Sequence, residues 1–205
     1  MWHPACPLHA PVSTSPRWRV AIVDDHERSR AAVRTAVWGA GGEIAGEALR
    51  VADAVPLVQR VKPDVVLIAV GFPDGDGVDA AEQVSAVGNC PVVLFTSHSD
   101  AALVERARRA GVMAYLLKPL RPAELAPTLD VAIARYRETR QLKQTLEDRK
   151  LIERAKGALM TRLGLTEEEA FRRLRRAAMN NRQPMAEIAR ALLVSESVAG
   201  GVPTE

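Results

Sequence analysis

Short apolar runs alternate with helical stretches through the first two thirds of the chain, and this alternation restricts the fold more than any other feature. The apolar runs lie at residues 18–25, 43–49, 64–70, 91–97 and 114–119, and helical patterns lie at about 27–39, 52–61, 78–87, 100–110 and from 122 onward. The runs are apolar almost throughout, as expected for strands that are covered on both faces. The sequence therefore predicts an α/β fold with a five-stranded, parallel, doubly wound sheet.

In a sheet of this kind the functional side chains lie at the carboxyl ends of the strands. Taken in chain order, the predicted strand ends carry Asp24 with Asp25, then Ala69, then Thr96, and then Lys118 followed by a proline. This set resembles the site of a response-regulator receiver domain, and the resemblance covers about residues 18–125.

The resemblance implies a role for each position. In that family the paired acids bind magnesium, an aspartate at the end of the third strand accepts a phosphoryl group, and a Thr or Ser and a Lys-Pro end the next two strands. Asp24, Asp25, Thr96 and Lys118 match this pattern, but Ala69 stands where the acceptor is expected. The fold is therefore supported and the phosphoryl chemistry is not.

Ala69 removes the reactive group itself. A phosphoryl acceptor must offer an oxygen nucleophile close to a magnesium ion, and alanine offers none. Asp24 and Asp25 remain as a weak magnesium site at best, because that ion prefers a near-octahedral set of oxygen ligands. Asp74 and Asp76 follow in a loop and are not favoured as substitute acceptors. We expect a degenerate pocket with no catalytic residue and no required cofactor.

The missing carboxylate also changes the electrostatics of the pocket. Carboxylates held in one pocket destabilise one another, and the alanine at position 69 leaves this pocket with one carboxylate fewer than the resemblance implies. We therefore expect Lys118 to pair with Asp24 or Asp25 and to hold the pocket in a single resting state.

A long helix is predicted after the fifth strand, because residues 121–163 contain no proline beyond Pro127. Its apolar positions form a stripe with spacings of mostly three and four: Leu125, Leu129, Ile133, Tyr136, Leu142, Leu146, Ile152, Ala155 and Leu159. One helix of this length cannot bury the whole stripe against small domains at its two ends, so a partner helix is implied. A homodimeric coiled coil is favoured, with packing on the receiver-like domain of the same chain as the alternative.

Two further short helices are predicted near the C-terminus. Thr166 and Glu169 have the spacing of a capping box, and Phe171 is assigned to the apolar face that follows. Residues 152–193 resemble the ANTAR domain, an RNA-binding module of bacterial transcription antiterminators. A small three-helix domain is therefore expected, with the end of the long helix as its first helix.

The charge of the C-terminal part agrees with a polyanionic partner. Residues 140–205 hold 13 Lys and Arg against 9 Asp and Glu, whereas residues 1–139 hold 15 against 16. The candidate RNA-binding residues are Arg154, Lys156, Gly157, Arg175, Arg176 and Arg182. A glycine within a helix costs about 1 kcal/mol relative to alanine, so Gly157 implies a close approach, either by a ligand or by a neighbouring helix.

The predicted organisation is a disordered tail (1–16), a receiver-like domain (17–122), a connecting coiled-coil helix (123–150), an ANTAR domain (151–197) and a second disordered tail (198–205). No membrane-spanning segment or signal peptide is predicted, so a cytoplasmic protein is expected.

We predict a non-enzymatic antitermination regulator that binds paired RNA stem-loops as a dimer through its long helix, with a regulatory protein as a further partner. The alternatives are a phosphorylation-dependent DNA-binding regulator and a protein-interaction adaptor. The absence of an acceptor and of a helix-turn-helix spacing disfavours the first alternative, and the retained basic residues disfavour the second.

Overall fold

The computed structural model describes residues 16–87, 90–97 and 100–199. The two segments that were predicted to be disordered, 1–16 and 198–205, lie almost wholly outside these residues. The chain forms two compact units that divide after Arg137. None of the helices in the described part of the chain combines the length and the apolar character that crossing a membrane requires.

The N-terminal unit contains a parallel sheet of five strands, as predicted. These are β1 (Arg19–Val23), β2 (Glu43–Ala48), β3 (Val65–Ala69), β6 (Val92–Thr96) and β7 (Ala114–Leu117), in the order β2-β1-β3-β6-β7. A separate antiparallel pair, β4 (Gly71–Phe72) and β5 (Gly75–Asp76), forms in the loop after β3. This order brings the ends of β1, β3 and β6 next to one another.

Helices cover both faces of the sheet. They are α1 (Glu27–Gly39), α2 (Ala54–Val61) after a short 3₁₀ turn (Val51–Asp53), α3 (Gly77–Val87), α4 (Ala101–Arg109) and the beginning of α5 (Pro122–Leu163). Successive strand residues alternate between two cores. One core includes Leu57 of α2 and Val84 of α3, and the other includes Val33 of α1 and Leu129 of α5. The predicted doubly wound fold is confirmed.

The apolar stripe of α5 does not have one partner along its length. Leu129 is buried in the N-terminal unit and Leu159 in the C-terminal unit. Between them, Leu142 and Leu146 are 61% and 56% exposed. The two ends of the stripe therefore pack within this chain and leave its middle uncovered, and the partner helix for that middle stays a prediction.

The C-terminal unit consists of the end of α5, α6 (Glu167–Asn181) and α7 (Met185–Ala199). Its core contains Ala155, Leu159, Ala170, Leu174 and Ala189. The predicted capping box is present at the start of α6: the Glu169 backbone N–H donates to Thr166 Oγ1 at 3.3 Å, and the Thr166 N–H donates to Glu169 Oε2 at 2.9 Å.

Candidate functional site

Asp24 and Lys118 form the centre of a polar pocket at the carboxyl edge of the sheet. Lys118 follows β7 and its Nζ donates to Oδ2 of Asp24 at 2.6 Å, which is the predicted type of ion pair. The other oxygen, Oδ1, accepts a hydrogen bond from the backbone N–H of His26 at 2.8 Å. The Asp24 side chain is buried, and the Lys118 ammonium also lies 4.9 Å from the ring centre of Phe95. Both oxygens of Asp24 therefore already have partners.

Arg30 supports this acidic loop from α1, and sequence reasoning missed it. Its Nη1 donates to the carbonyl oxygen of Asp24 at 2.7 Å, and its Nε donates to Glu47 at 3.1 Å. A signal was available, because Arg30 lies at helical spacing from the core residues Val33 and Val37 and so belongs to the inward face of α1. A charged residue on such a face is expected to be paired.

Ala69 ends β3 and is buried, and the following loop folds back onto it. The N–H of Gly77 donates to the carbonyl oxygen of Val70 at 2.7 Å. A Cβ atom at Gly77 would lie 1.7 Å from the carbonyl oxygen of Ala69, which no side chain can tolerate. The loop thus closes over the position of the missing acceptor by a backbone contact that only glycine permits.

The two loop aspartates have other partners. Asp76 Oδ1 accepts from the Val78 N–H at 2.7 Å, and Oδ2 accepts from Arg106 Nη2 at 2.9 Å. Partial burial raises the pKa of Asp76, but the hydrogen bonds from Arg106 and Val78 outweigh it, and the net pKa lies below its ordinary value. Asp74 Oδ2 lies 3.5 Å from Nε of Arg50. These contacts agree with the expectation that neither residue replaces the acceptor.

The pocket does not fit a magnesium ion well. Ligand atoms of Asp24, Asp25 and His26 lie within 4.8 Å of one another. However, the Lys118 ammonium occupies one oxygen of Asp24, and Nδ1 of His26 lies 2.6 Å from Oδ1 of Asp25. A divalent cation would compete with the ammonium for Asp24 and would find no third carboxylate at Ala69. The weak magnesium site at Asp24 and Asp25 therefore stays a prediction.

In the C-terminal unit, the structure assigns Lys156 a structural position. The residue is only 7% exposed. Its ammonium lies 2.7 Å from a carboxylate oxygen of Glu167 at the start of α6 and 2.9 Å from Glu153 on α5. The hydrogen bond to Glu167, followed by that to Glu153, raises the pKa of Lys156. Lys156 holds α6 to α5, which differs from the predicted role as an open phosphate contact.

The other predicted cations remain accessible. Within the residues that the structure describes, the exposed side chains of Arg154, Arg175, Arg176 and Arg182 form no ion pair. Gly157 is also exposed, and a Cβ atom there would meet nothing within 4 Å beyond the backbone of its own helix. Tight packing within this chain therefore does not explain this glycine.

The prediction that Phe171 belongs to the core is wrong, because the residue is 38% exposed and is not part of the core cluster of this unit. The buried line of α6 consists of Ala170, Leu174 and Ala178 at spacings of four. Phe171 lies one residue beyond this line. The apolar line of Ala170, Leu174 and Ala178, at spacings of four, is the signal in the sequence that could have placed Phe171 outside the core.

Comparison with known proteins agrees with this two-part architecture. Residues 20–130 match the response regulator receiver domain and residues 140–193 match the ANTAR domain. The chain is 41% identical over 182 residues to the transcriptional regulatory protein PdtaR of Mycobacterium tuberculosis, and the alignment covers 85% of this chain and 89% of that protein. It is 30% identical over 113 residues to the chemotaxis protein CheY of Thermotoga maritima, covering 55% of this chain and 94% of CheY.

A solved structure is similar to the N-terminal part. The signal receiver domain of a modulated diguanylate cyclase from Desulfovibrio desulfuricans G20 is 27% identical to this chain and superposes with a TM-score of 0.55. The superposition covers 60% of this chain and 98% of that domain. Both domain matches occur in one chain, and one relative aligns across most of both proteins. The chain therefore belongs to the family of response regulators that combine a receiver domain with an ANTAR domain.

Proposed function

We propose that this protein is a cytoplasmic, RNA-binding transcription antitermination regulator that acts as a dimer on paired RNA stem-loops. It is not an enzyme in this proposal, and its receiver domain accepts no phosphoryl group. The observation that carries the RNA-binding role is a set of exposed arginines in the unit that matches the ANTAR domain, Arg154, Arg175, Arg176 and Arg182, which form no ion pair with any residue that the structure describes.

The arginines of α6 have the chemistry that RNA requires. A guanidinium group can bind a phosphate through two parallel hydrogen bonds and can also stack on an unpaired base. Arg172, Arg173 and Arg176 line a surface cleft of about 430 Å³ on this helix. Only Arg172 of these three pairs with a carboxylate among the described residues, that of Glu168. Glu169 also lines the cleft, so three guanidinium groups face one carboxylate and the lining keeps a net positive charge for an anionic ligand.

The pocket of the receiver domain supports regulation without phosphorylation. Ala69 provides no nucleophile, and the Lys118 ammonium is held by Asp24. A phosphodonor can shift a conformational equilibrium only if it interacts differently with the two states, and this pocket offers it no covalent site. Control through the monomer–dimer equilibrium, or through a partner protein that covers the middle of α5, is consistent with the exposed Leu142 and Leu146.

RNA binding is tested by comparing a two-hairpin RNA, a single hairpin and duplex DNA at several salt concentrations. We expect the two-hairpin RNA to bind most tightly. Arg175→Ala should weaken binding and reduce its salt dependence. The variant makes one phosphate contact fewer, so its binding releases fewer counterions from the RNA. Arg190→Ala is the matched control, since Arg190 is paired with Glu187 on α7. Equal affinity for duplex DNA would favour the DNA-binding alternative, and no binding of any nucleic acid would favour the adaptor.

The state of the receiver domain is tested by intact-mass spectrometry after incubation with acetyl phosphate and magnesium. We expect no phosphate adduct and no change in RNA affinity. Ala69→Asp restores an oxygen nucleophile at the end of β3 and should acquire the adduct, so it serves as the positive control. A stoichiometric adduct on the unmodified protein, together with tighter RNA binding, would show that another group accepts the phosphoryl and would contradict the proposal.

A further inference from the structure

A cavity of about 590 Å³ opens at the carboxyl edge of the sheet, and Lys118 is one of the residues that line it. It lies between the ends of β3, β6 and β7 and the start of α4. Cavities of roughly 300–1,000 Å³ are typical of small-molecule sites in proteins. The proposed antitermination function gives this cavity no role.

Part of the lining is apolar and rigid. The apolar side chains are those of Val70, Phe95, Ala102 and Leu103. Phe95 is buried in one core of the sheet, and Val70 and Leu103 pack against the other core. Because the cores hold these three side chains in place, this part of the cavity is formed before any ligand binds.

The charged groups of the lining favour an anionic ligand. Lys118 and Arg106 contribute two cations, and Asp100 is the one carboxylate among the described residues that line the cavity. Asp100 already caps α4, since its Oδ1 accepts a hydrogen bond from the Leu103 N–H at 2.8 Å. A ligand in the cavity therefore meets more positive than negative charge.

Both cations can bind a ligand without losing their present partners. The Lys118 ammonium donates to Asp24 at 2.6 Å, and Nη2 of Arg106 donates to Asp76 at 2.9 Å. Neither aspartate lines the cavity. An ammonium and a guanidinium group each carry further N–H donors, which a carboxylate can accept through its two oxygens. Ala69 adds no carboxylate at the end of β3 that would repel such a ligand.

The apolar part of the lining favours an organic anion over an inorganic one. An organic group placed against Val70 and Leu103 would remove apolar surface from water, which is favourable. A phosphate ion has no apolar group and cannot gain this stabilisation. The cavity therefore fits a ligand with one anionic end and one apolar end.

We propose that this cavity binds a small organic carboxylate with a compact apolar body. Lys118 and Arg106 hold the carboxylate by hydrogen bonds, and the apolar body packs against Val70 and Leu103. The binding is not covalent, so it requires no phosphoryl acceptor at position 69. This inference goes beyond the proposed antitermination function, because it gives the receiver domain a ligand.

The test uses 3-phenylpropionate as the probe for the full chain. The comparison compounds are 3-phenylpropan-1-ol and 3-phenylpropylamine, which have the same body with a neutral or cationic end, and inorganic phosphate. We expect the carboxylate to bind about tenfold more tightly than the alcohol in isothermal titration calorimetry, because it accepts charge-assisted hydrogen bonds. In NMR spectra the backbone amide signals of Gly71 and Ser97, which line the cavity, should shift on binding.

Two variants locate the site. Ala102→Trp should abolish binding, because Ala102 is exposed at the start of α4 and a large side chain there fills the cavity. Ala101→Trp is its matched control, since Ala101 is exposed but does not line the cavity.

Arg106→Gln should weaken binding of 3-phenylpropionate by about tenfold and leave binding of the alcohol unchanged. Its control is Arg109→Gln, because Arg109 pairs with Glu105 on α4 and does not line the cavity. Circular dichroism checks that each variant is folded, and Arg106→Gln decides the question if Ala102→Trp is not.

Several results would overturn the inference. One is the absence of binding by 3-phenylpropionate. Equal binding of the alcohol, or tighter binding of the amine, would show that the cations do not select the ligand. Tighter binding of phosphate would show that the apolar lining contributes nothing, and full binding by a folded Ala102→Trp variant would place the site elsewhere. RNA binding is measured separately with the hairpin RNAs, so failure of one proposal leaves the other standing.

Discussion

Lys156 and Gly157 are adjacent in the chain but lie in opposite environments. Lys156 is buried and its ammonium has two carboxylate partners, whereas Gly157 is exposed and has open space around its Cα. Successive residues of a helix point about 100° apart, so one residue lies against α6 and the next faces away from the core. Of the two, Gly157 is therefore the one that a ligand can reach.

Replacing Gly157 by alanine should stabilise the protein. The added methyl group meets no neighbour, and alanine is favoured over glycine within a helix by about 1 kcal/mol, so the free energy of unfolding should rise by up to that amount. Urea denaturation followed by far-UV circular dichroism measures this. Ala158→Gly, the reverse change at the next position, should lower the free energy of unfolding. A destabilised Gly157→Ala variant would show that the glycine has an internal structural role. Weaker RNA binding by a stabilised variant would locate a close RNA contact on this helix.

At the level of elements, the start of α6 is held in two ways. The capping box of Thr166 and Glu169 satisfies backbone N–H groups at the first turn, and the ion pair between Glu167 and Lys156 joins that turn to α5. The hydrogen bond from the Lys156 ammonium lowers the pKa of Glu167. The N–H and hydroxyl groups of Thr166 lower the pKa of Glu169. Both glutamates therefore stabilise the unit in their ionised forms.

The lowered pKa of Glu167 predicts a specific dependence of stability on pH. The unfolded chain binds a proton at an ordinary glutamate pKa of about 4.3, and the folded chain binds it only at lower pH. The stabilisation is therefore complete above that value and is lost as the pH falls through the folded pKa. The difference in unfolding free energy between the unmodified protein and Glu167→Gln should be constant at neutral pH and should shrink in acid.

Urea titrations at a series of pH values measure this difference. Far-UV circular dichroism follows both units, and the fluorescence of Trp18 and Trp38 reports on the N-terminal unit. Glu187→Gln is the control, because Glu187 pairs with Arg190 within one turn of α7. A difference for Glu167→Gln that does not change between neutral and acidic pH would show that the ion pair contributes nothing to stability.

At the scale of the whole molecule, we expect the exposed middle of α5 to be the surface for self-association in the proposed dimer. Changing both Leu142 and Leu146 to glutamate should abolish dimer formation, because it places charges where apolar side chains would pack against a second copy. Affinity for a two-hairpin RNA should fall, because only a dimer holds a second RNA-binding unit close to the second hairpin once the first is bound. Affinity for a single hairpin should not change.

Analytical ultracentrifugation and RNA titrations measure these two effects. Lys143→Glu is the matched control, since it changes the charge at a neighbouring exposed position without removing an apolar group. Unchanged dimer formation by the double variant would place the interface elsewhere. A loss of dimer without any loss of two-hairpin affinity would show that one chain is sufficient for RNA binding.

The sequence alone determined the strands of the parallel sheet, the residues at their ends and the capping box of α6. These features depend on local periodicity and on the order of residues, so they can be recognised before any contact is known. Ala69 belongs to this group, because its position follows from the third apolar run. The approximate limits of the helices follow in the same way.

Only the tertiary structure decided which of these side chains are accessible. It showed that Lys118 pairs with Asp24 rather than Asp25, that Lys156 is buried, and that Phe171 is exposed. It also revealed the contact of Gly77 with the carbonyl group of Ala69. Each of these outcomes depends on which faces of distant elements meet and on how closely they approach. Sequence spacing gives the face on which a residue lies, but the partner of that face is set by packing of the whole unit.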